Sequence, residues 1–164
     1  MRDSETFNEA MAKYFAPIAQ ELGLPLSRVD DGNYEISSPH FILRMRLDTG
    51  HRRGLNVLLR PASQLQFDED KPGSEYGLSC FMEFHGEDLK KTFIDVDSKE
   101  DFMKQSHLLA QATRRYAVPY LLGEGKDFDA VRAAIRKRSE ESIDEIKKYR
   151  FPKNVREEWP LPED

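Results

Sequence analysis

Apolar and polar residues alternate along much of the stretch between residues 34 and 84, which is the pattern of strands with one buried face. The cleanest segment is His40–Asp48, in which every second side chain is apolar. The side chains expected to point inward are those of Phe41, Leu43, Met45 and Leu47. Arg44 and Arg46 then lie on the outer side, and we predict that this segment is the centre of a sheet.

The same alternation predicts strands on both sides of this segment. They cover Tyr34–Ser37, Leu55–Pro61, Tyr76–Phe84 and, as a short fifth strand, Thr92–Val96. Turn residues such as Pro39, Gly50 and Gly54 separate the first three strands, which favours antiparallel neighbours. We therefore expect a meander of four to five antiparallel strands.

An amphipathic helix is predicted before the sheet. Apolar side chains recur at intervals of three and four between Phe7 and Leu22, as one buried helix face requires. Asp3 or Ser4 can cap its start, and Gly23 is its expected end. Pro17 lacks the amide that would bond to the carbonyl four residues earlier, so we predict a kink or a break there.

Two further helices are predicted after the sheet. Ser98, followed by acidic residues, begins the first of them, and Pro119 bends or ends it. Its inner face is expected to contain Phe102, Ser106, Leu109, Ala112 or Thr113, and Tyr116. Asp127 caps the last helix. The side chains expected on its buried side are Phe128, Val131 and Ile135, and more weakly Ile143, Ile146 and Tyr149.

Together these elements predict a single α+β domain over residues 1–150. In it, the N-terminal helix and the two C-terminal helices pack on one face of the antiparallel sheet. Residues 151–164 are predicted to form a Pro-rich C-terminal tail that carries Trp159, the one tryptophan of the chain.

Composition narrows the class of partner. The chain of 164 residues has a formal net charge of -5, which argues against nucleic acid and membrane surfaces and favours a basic or neutral partner. The single Cys80 excludes an intramolecular disulfide and a Cys-based zinc site, as is typical of the reducing cytoplasm. The charged N-terminus lacks the apolar run of a signal peptide or a membrane span.

No catalytic or cofactor signature is recognisable in the sequence, so we expect no cofactor and no bound metal. The stretch Gly77–Phe81 lacks the second glycine of a nucleophile elbow and is expected to lie within a strand. The stretch Gly123–Lys126 lacks the spacing of a Walker loop.

Histidines offer the main alternative to this interpretation. His40 and His85 are both expected at strand ends, where they could meet. With Glu87 or Asp88 they could form an acid–base pair or hold a metal, although surface turn residues are the simpler interpretation.

The candidate partner-binding residues lie on the predicted hairpin and in the loop after it. Arg44 and Arg46 make the outer side of the hairpin locally basic, either as a solvated surface or as a binding surface. The connection Pro61–Glu75 is long for a compact domain, and such connections are often functional. Its acidic residues are Asp68, Glu69, Asp70 and Glu75. Phe81 and Trp159 are candidate apolar anchors for a partner if they are not covered.

Two family resemblances follow from the order of these features. From Phe7 to Ala62, an amphipathic helix, the run Glu-Leu-Gly-Leu-Pro-Leu, the turn Asp-Asp-Gly-Asn and then strands resemble the opening of class I type III secretion chaperones. The second half resembles small bacterial immunity proteins, through the apolar turn Tyr116–Gly123 and the following helix that begins with Asp127-Phe128-Asp129. The first resemblance implies a small acidic cytoplasmic dimer. The second implies a non-catalytic protein that covers a toxin's site with complementary charge.

The sequence therefore favours a non-enzymatic, cytoplasmic protein that binds another protein, with inhibition of a cognate bacterial toxin as the leading version. A secretion or assembly chaperone is the alternative, and a homodimer is compatible with either. An alternative of another class is a small enzyme or ligand-binding protein that uses the sheet face with His40 and His85. A nucleic-acid role that depends on Arg44, Arg46, Arg52, Arg53 and Arg60 ranks below these.

Overall fold

The computed structural model describes residues 3–50, 53–62 and 75–150, without the side chains of residues 146 and 148–150. The chain divides into two compact units, Met1–Lys126 and Asp127–Asp164. The single domain over residues 1–150 stays a prediction. The predicted tail with Trp159 lies outside the described residues.

Within its described residues, the first unit contains one sheet of five strands in the order β1-β2-β3-β4-β5. All neighbouring strands are antiparallel. The strands are β1 (Leu26–Asp30), β2 (Asn33–Ser37), β3 (Phe41–Asp48), β4 (Gly54–Pro61) and β5 (Tyr76–Gly77). This meander, with helices before and after it, confirms the predicted α+β class and the strands predicted at β2, β3 and β4.

The alternation along β3 and β4 determines which face of the sheet is buried. Leu43 and Met45 are fully buried, and they pair with Leu59 and Val57 of β4, which are buried as well. Because side chains alternate along a strand, Arg44 lies on the opposite face. The predicted orientation of β3 is thus confirmed.

The N-terminal helical segment is interrupted as expected, but by a wider helical turn. It consists of α1 (Asp3–Ala10), a π-helical turn (Met11–Phe15) and α2 (Ala16–Leu22). The amide of Ala16 donates to the carbonyl of Met11, five residues earlier. Pro17 follows in the first turn of α2, where its missing amide is tolerated. α2 ends at Gly23, whose φ of +65° is a left-handed helix cap.

The strand predicted over Tyr76–Phe84 is wrong beyond its first two residues. Of the predicted strand, only Tyr76 and Gly77 pair with β4, as β5, and the next residues form the helix α3 (Leu78–Phe84). Leu78, Phe81 and Met82 are buried, and their spacing of three and four is that of one helix face. A short apolar run fits a strand and a helix equally well, so periodicity does not separate them here.

The strand predicted over Thr92–Val96 is also wrong. This segment is irregular and follows a short 3-10 helix, Leu89–Lys91. The remaining strand of the sheet is β1, at its edge, and the sequence pattern did not predict it. Its residues Ser27 to Asp30 are all exposed, so β1 has no buried alternation to detect.

The helix predicted from Ser98 is confirmed as α4 (Lys99–Tyr116), which is followed by α5 (Val118–Leu121) with Pro119 in its first turn. The Ser98 hydroxyl accepts the amide of Asp101 at 3.1 Å. The predicted inner face is buried at Phe102, Ser106, Leu109, Ala112, Thr113 and Tyr116. Gln105 adds a link to the sheet, because its Oε1 atom accepts the amide of Leu55 at 2.8 Å.

The second unit contains α6 (Phe128–Arg150). Val131 is buried, whereas Ile143, predicted on the buried side, is 52% exposed. Among the described residues, no helix is long and apolar enough to span a membrane.

Candidate protein-binding face of the sheet

The sheet of the first unit has an inner face that contacts helices. The ring of Tyr34 on β2 packs edge-on against Phe7 of α1, and its hydroxyl donates to Asn8 at 2.7 Å. The ring of Phe41 on β3 contacts Tyr120 of α5 in the same way. Along each strand, the side chains at the alternate positions point to the other side of the sheet. We call this side the outer face.

The strand register places side chains of several strands side by side on the outer face. Glu35 of β2 pairs with Arg44 of β3, which pairs with Leu58 of β4. In the next row, Ile42 pairs with Arg60. The outer face thus combines opposite charges with aliphatic side chains.

Four charged residues form what we call the charge network: Glu35, Arg44, Arg60 and Glu75. Nη1 of Arg44 lies 3.0 Å from Oε1 of Glu75. The carboxylate of Glu35 lies 3.7 Å from Nη2 of Arg44 and 3.7 Å from Nη2 of Arg60. The formal charges of the network cancel.

The charge network is partly removed from water, and its polar atoms are incompletely bonded. Its side chains are between 13% and 27% exposed. Nε of Arg44, Nε of Arg60 and Oε2 of Glu75 are buried without a hydrogen-bond partner. A buried polar atom left in this state costs about 1–3 kcal/mol. Fold stability alone is therefore a poor explanation for the network.

Arg46 lies two residues further along β3 on the same face, and it is exposed. It pairs in register with Asn33 and with Asn56, neither of which carries a charge. No ion pair involves its guanidinium within the described part of the chain. Among the described residues, Arg46 is thus a cation without an ionic partner beside the charge network.

The structure brings together three of the predicted binding residues. Arg44 of β3 and Glu75 are in direct contact, and Arg46 lies on the same face as Arg44. Phe81 is 1% exposed in α3, and its ring packs against Tyr120. Phe81 is therefore covered, and the condition under which it would be a surface anchor for a partner is not met. Asp68, Glu69, Asp70 and Trp159 lie outside the described residues.

The predicted partner-binding residues did not include Glu35, Ile42, Leu58 and Arg60, which complete the outer face. A signal for Glu35 exists in the sequence, because it lies between the apolar Tyr34 and Ile36 on a predicted strand. Its position opposite Arg44 depends on the β2–β3 register, which alternation along a single strand does not give.

The histidines that could form a catalytic or metal site contact different neighbours. The ring of His85 stacks on Tyr116 at 5.5 Å. His40 lies beside the turn at Gly123, where an added Cβ would come within 2.7 Å of its Nε2 atom. No cluster of three or more His, Cys, Asp and Glu side chains within the described ranges could hold a metal ion.

The stretch Gly77–Phe81 was expected inside a strand, and this expectation is wrong. It lies at the junction of β5 and α3, which is the setting of a nucleophile elbow. An elbow also needs a strained backbone at the nucleophile, but no non-glycine residue in the described part of the chain has a positive φ. Phe81 occupies the position of the second glycine, so Ser79 is an ordinary helical serine.

Comparison with known proteins adds no assignment. No protein-family model, no curated protein and no solved structure matches the chain.

Proposed function

We propose that this chain is a non-enzymatic protein that binds another protein through the outer face of its sheet. Inhibition of a cognate bacterial toxin, in the manner of an immunity protein, is the leading version. The observation that carries the proposal is the charge network with its incompletely bonded polar atoms, beside the exposed Arg46. The single Cys80 supports the cytoplasm as its location.

The charge network supports a binding role because charges of this kind contribute little to stability. Replacing a buried ion pair by apolar residues is often neutral or stabilising. Charged groups at an interface instead select the correct partner and fix its orientation. A network that is costly to the fold is thus better explained by recognition.

Net charge and local charge act at different ranges in this proposal. The formal charge of -5 favours encounter with a basic or neutral protein. On the outer face, the charge network is neutral and Arg46 adds a positive charge. The partner surface that contacts the outer face should therefore carry acidic side chains, whatever the net charge of the whole partner.

The test is recovery of the tagged full chain from its native host, together with expression of the proteins encoded beside it. We expect a stoichiometric partner whose toxicity the chain suppresses. Arg46→Glu should reduce the affinity about tenfold or more, because it places a repulsive charge at the contact. Lys104→Glu makes the same change at an exposed position on α4 and should leave binding unchanged.

Two results would count against the proposal. One is recovery of the chain without any stoichiometric partner. The other is a partner whose binding is equally insensitive to Arg46→Glu and Lys104→Glu.

A secretion or assembly chaperone is the second candidate, and β1 is the feature that favours it. β1 is at the edge of the sheet, and Val29 on it is 53% exposed, so an extended cargo segment can pair there. The register shift between Arg28 and Asp30 opposes such pairing, as bulges on edge strands do. Val29→Lys should abolish binding of an extended cargo but leave a toxin bound to the outer face.

A further inference from the structure

We propose that Glu75 holds the place of a partner carboxylate, and that an Asp or Glu side chain of the bound protein replaces it on Arg44. This inference rests on the proposed function and adds the chemistry of the contact. The exchange breaks one ion pair and forms another, so the charge balance of the network is preserved.

The geometry marks Glu75 as the replaceable member of the network. It engages Arg44 through Oε1 at 3.0 Å, while its second oxygen, Oε2, is buried without a hydrogen bond. Glu75 directly precedes β5, which pairs with β4 over only two residues. Displacement of Glu75 therefore breaks a single contact of its carboxylate with Arg44, which an incoming carboxylate can replace.

Glu35, unlike Glu75, is a fixed member of the charge network. It lies in the middle of β2, which is paired on both sides by β1 and β3. Its two oxygens each face a different arginine, Arg44 and Arg60, at 3.7 Å. Because strand pairing on both sides fixes its position, Glu35 stays beside both guanidinium groups when Glu75 leaves.

The surroundings favour a protein carboxylate over a polyanion. A run of phosphates would meet Glu35 and the net acidity of the chain, whereas one carboxylate exchanges for another without added repulsion. Arg46 offers a second cation on the same strand and face. Ile42 and Leu58, both part-exposed, supply aliphatic contact beside the charges, as protein interfaces do.

The first experiment uses acetate as the carboxylate probe and follows the arginine side-chain signals of the full chain by NMR, with Arg44→Lys identifying the Arg44 signal. In Glu75→Gln, acetate should shift this signal at a concentration about threefold or more below that needed in the wild type. Glu124→Gln, an exposed control in the first unit, should match the wild type. Equal acetate responses in all three proteins, or no response in Glu75→Gln, would overturn the exchange.

The second experiment uses the purified partner from the native host. Glu75→Gln should tighten its binding about threefold, since the internal competitor is removed, and Arg44→Met should weaken it about tenfold. Tighter binding by Glu75→Gln is not expected if Glu75 contacts the partner itself or only stabilises the fold.

The outcomes separate the two proposals. If the partner depends on Arg46 but Glu75→Gln leaves its affinity unchanged, the outer face binds the partner and the exchange is wrong. If the partner ignores both Arg44 and Arg46, the outer face is not the binding surface. The exchange with a partner carboxylate is then wrong as well, and the acetate titration shows only whether Glu75 competes with a free carboxylate for Arg44.

Discussion

Tyr116, at the end of α4, shows how a single side chain links α3 to α4. Its hydroxyl donates to Glu87, just after α3, while the guanidinium of Arg115 contacts the same carboxylate at 3.1 Å. His85 stacks on its ring. Burial, and to a smaller extent the hydrogen bond to Glu87, raises the pKa of Tyr116 above its ordinary value of 10.0. Tyr116 is therefore a structural donor, and this shift opposes its use as a nucleophile.

The raised pKa makes the contribution of Tyr116 to stability depend on alkaline pH. Above pH 10.0 the unfolded chain loses the Tyr116 proton before the folded chain does, which favours unfolding. The stability advantage of the wild type over Tyr116→Phe should be constant below pH 10.0. It should then shrink as pH rises through the folded pKa. Denaturant unfolding of both proteins at a series of pH values measures this difference, and a difference that grows or stays constant above pH 10.0 would contradict it.

At the scale of elements, the π-helical turn before Pro17 resolves the conflict between a proline and a continuous apolar face. A proline inside a regular α-helix costs about 3 kcal/mol, because it removes a hydrogen bond and clashes with the preceding turn. The turn Met11–Phe15 shifts the bonding so that Pro17 falls in the first turn of α2. Phe15 and Ile18 remain buried on either side of it.

Pro17→Ala should therefore change the free energy of unfolding little. We expect a loss of about 1 kcal/mol or less, from the greater freedom of the unfolded chain. A regular helix strained by Pro17 would instead gain about 3 kcal/mol from the same change. Gln20→Pro is the matched control, since it places proline at an exposed interior position of α2 and should cost about 3 kcal/mol. Urea unfolding of the three proteins decides between these values.

Elements were predictable wherever one periodicity was unambiguous. Leu43 and Met45 alternate with arginines, and this pattern suits a strand alone, so β3 was predicted correctly. The run Tyr76–Phe84 fits either period, because alternate residues are apolar and Leu78, Phe81 and Met82 also have helical spacing, and only packing in the folded chain makes it a helix. β1 escaped detection because an exposed edge strand has no buried face.

At the scale of the whole molecule, the charge network depends on pairings that no single segment encodes. Arg44 and Arg46 were visible as outward residues of β3, but their environments differ because of the neighbouring strands. Glu35 comes from β2, and Glu75 lies 31 positions beyond Arg44 (75 − 44), next to β5. The contacts between them follow from strand order and register, which are properties of the assembled sheet.

The balance between stability and recognition in the charge network can be measured by removing the network as a unit. Replacing Glu35 and Glu75 by leucine, and Arg44 and Arg60 by methionine, eliminates the incompletely bonded buried atoms while roughly keeping side-chain volume. The free energy of unfolding should stay unchanged or rise by about 1–4 kcal/mol, as it does when buried ion pairs are replaced by apolar residues. Arg44→Met alone should be destabilising, because it leaves Glu75 partly buried without its cation.

If the fourfold variant is instead less stable than the single variant, the network is a structural element of the fold. If it is more stable but no longer binds the partner, these charges are kept for recognition at the expense of stability.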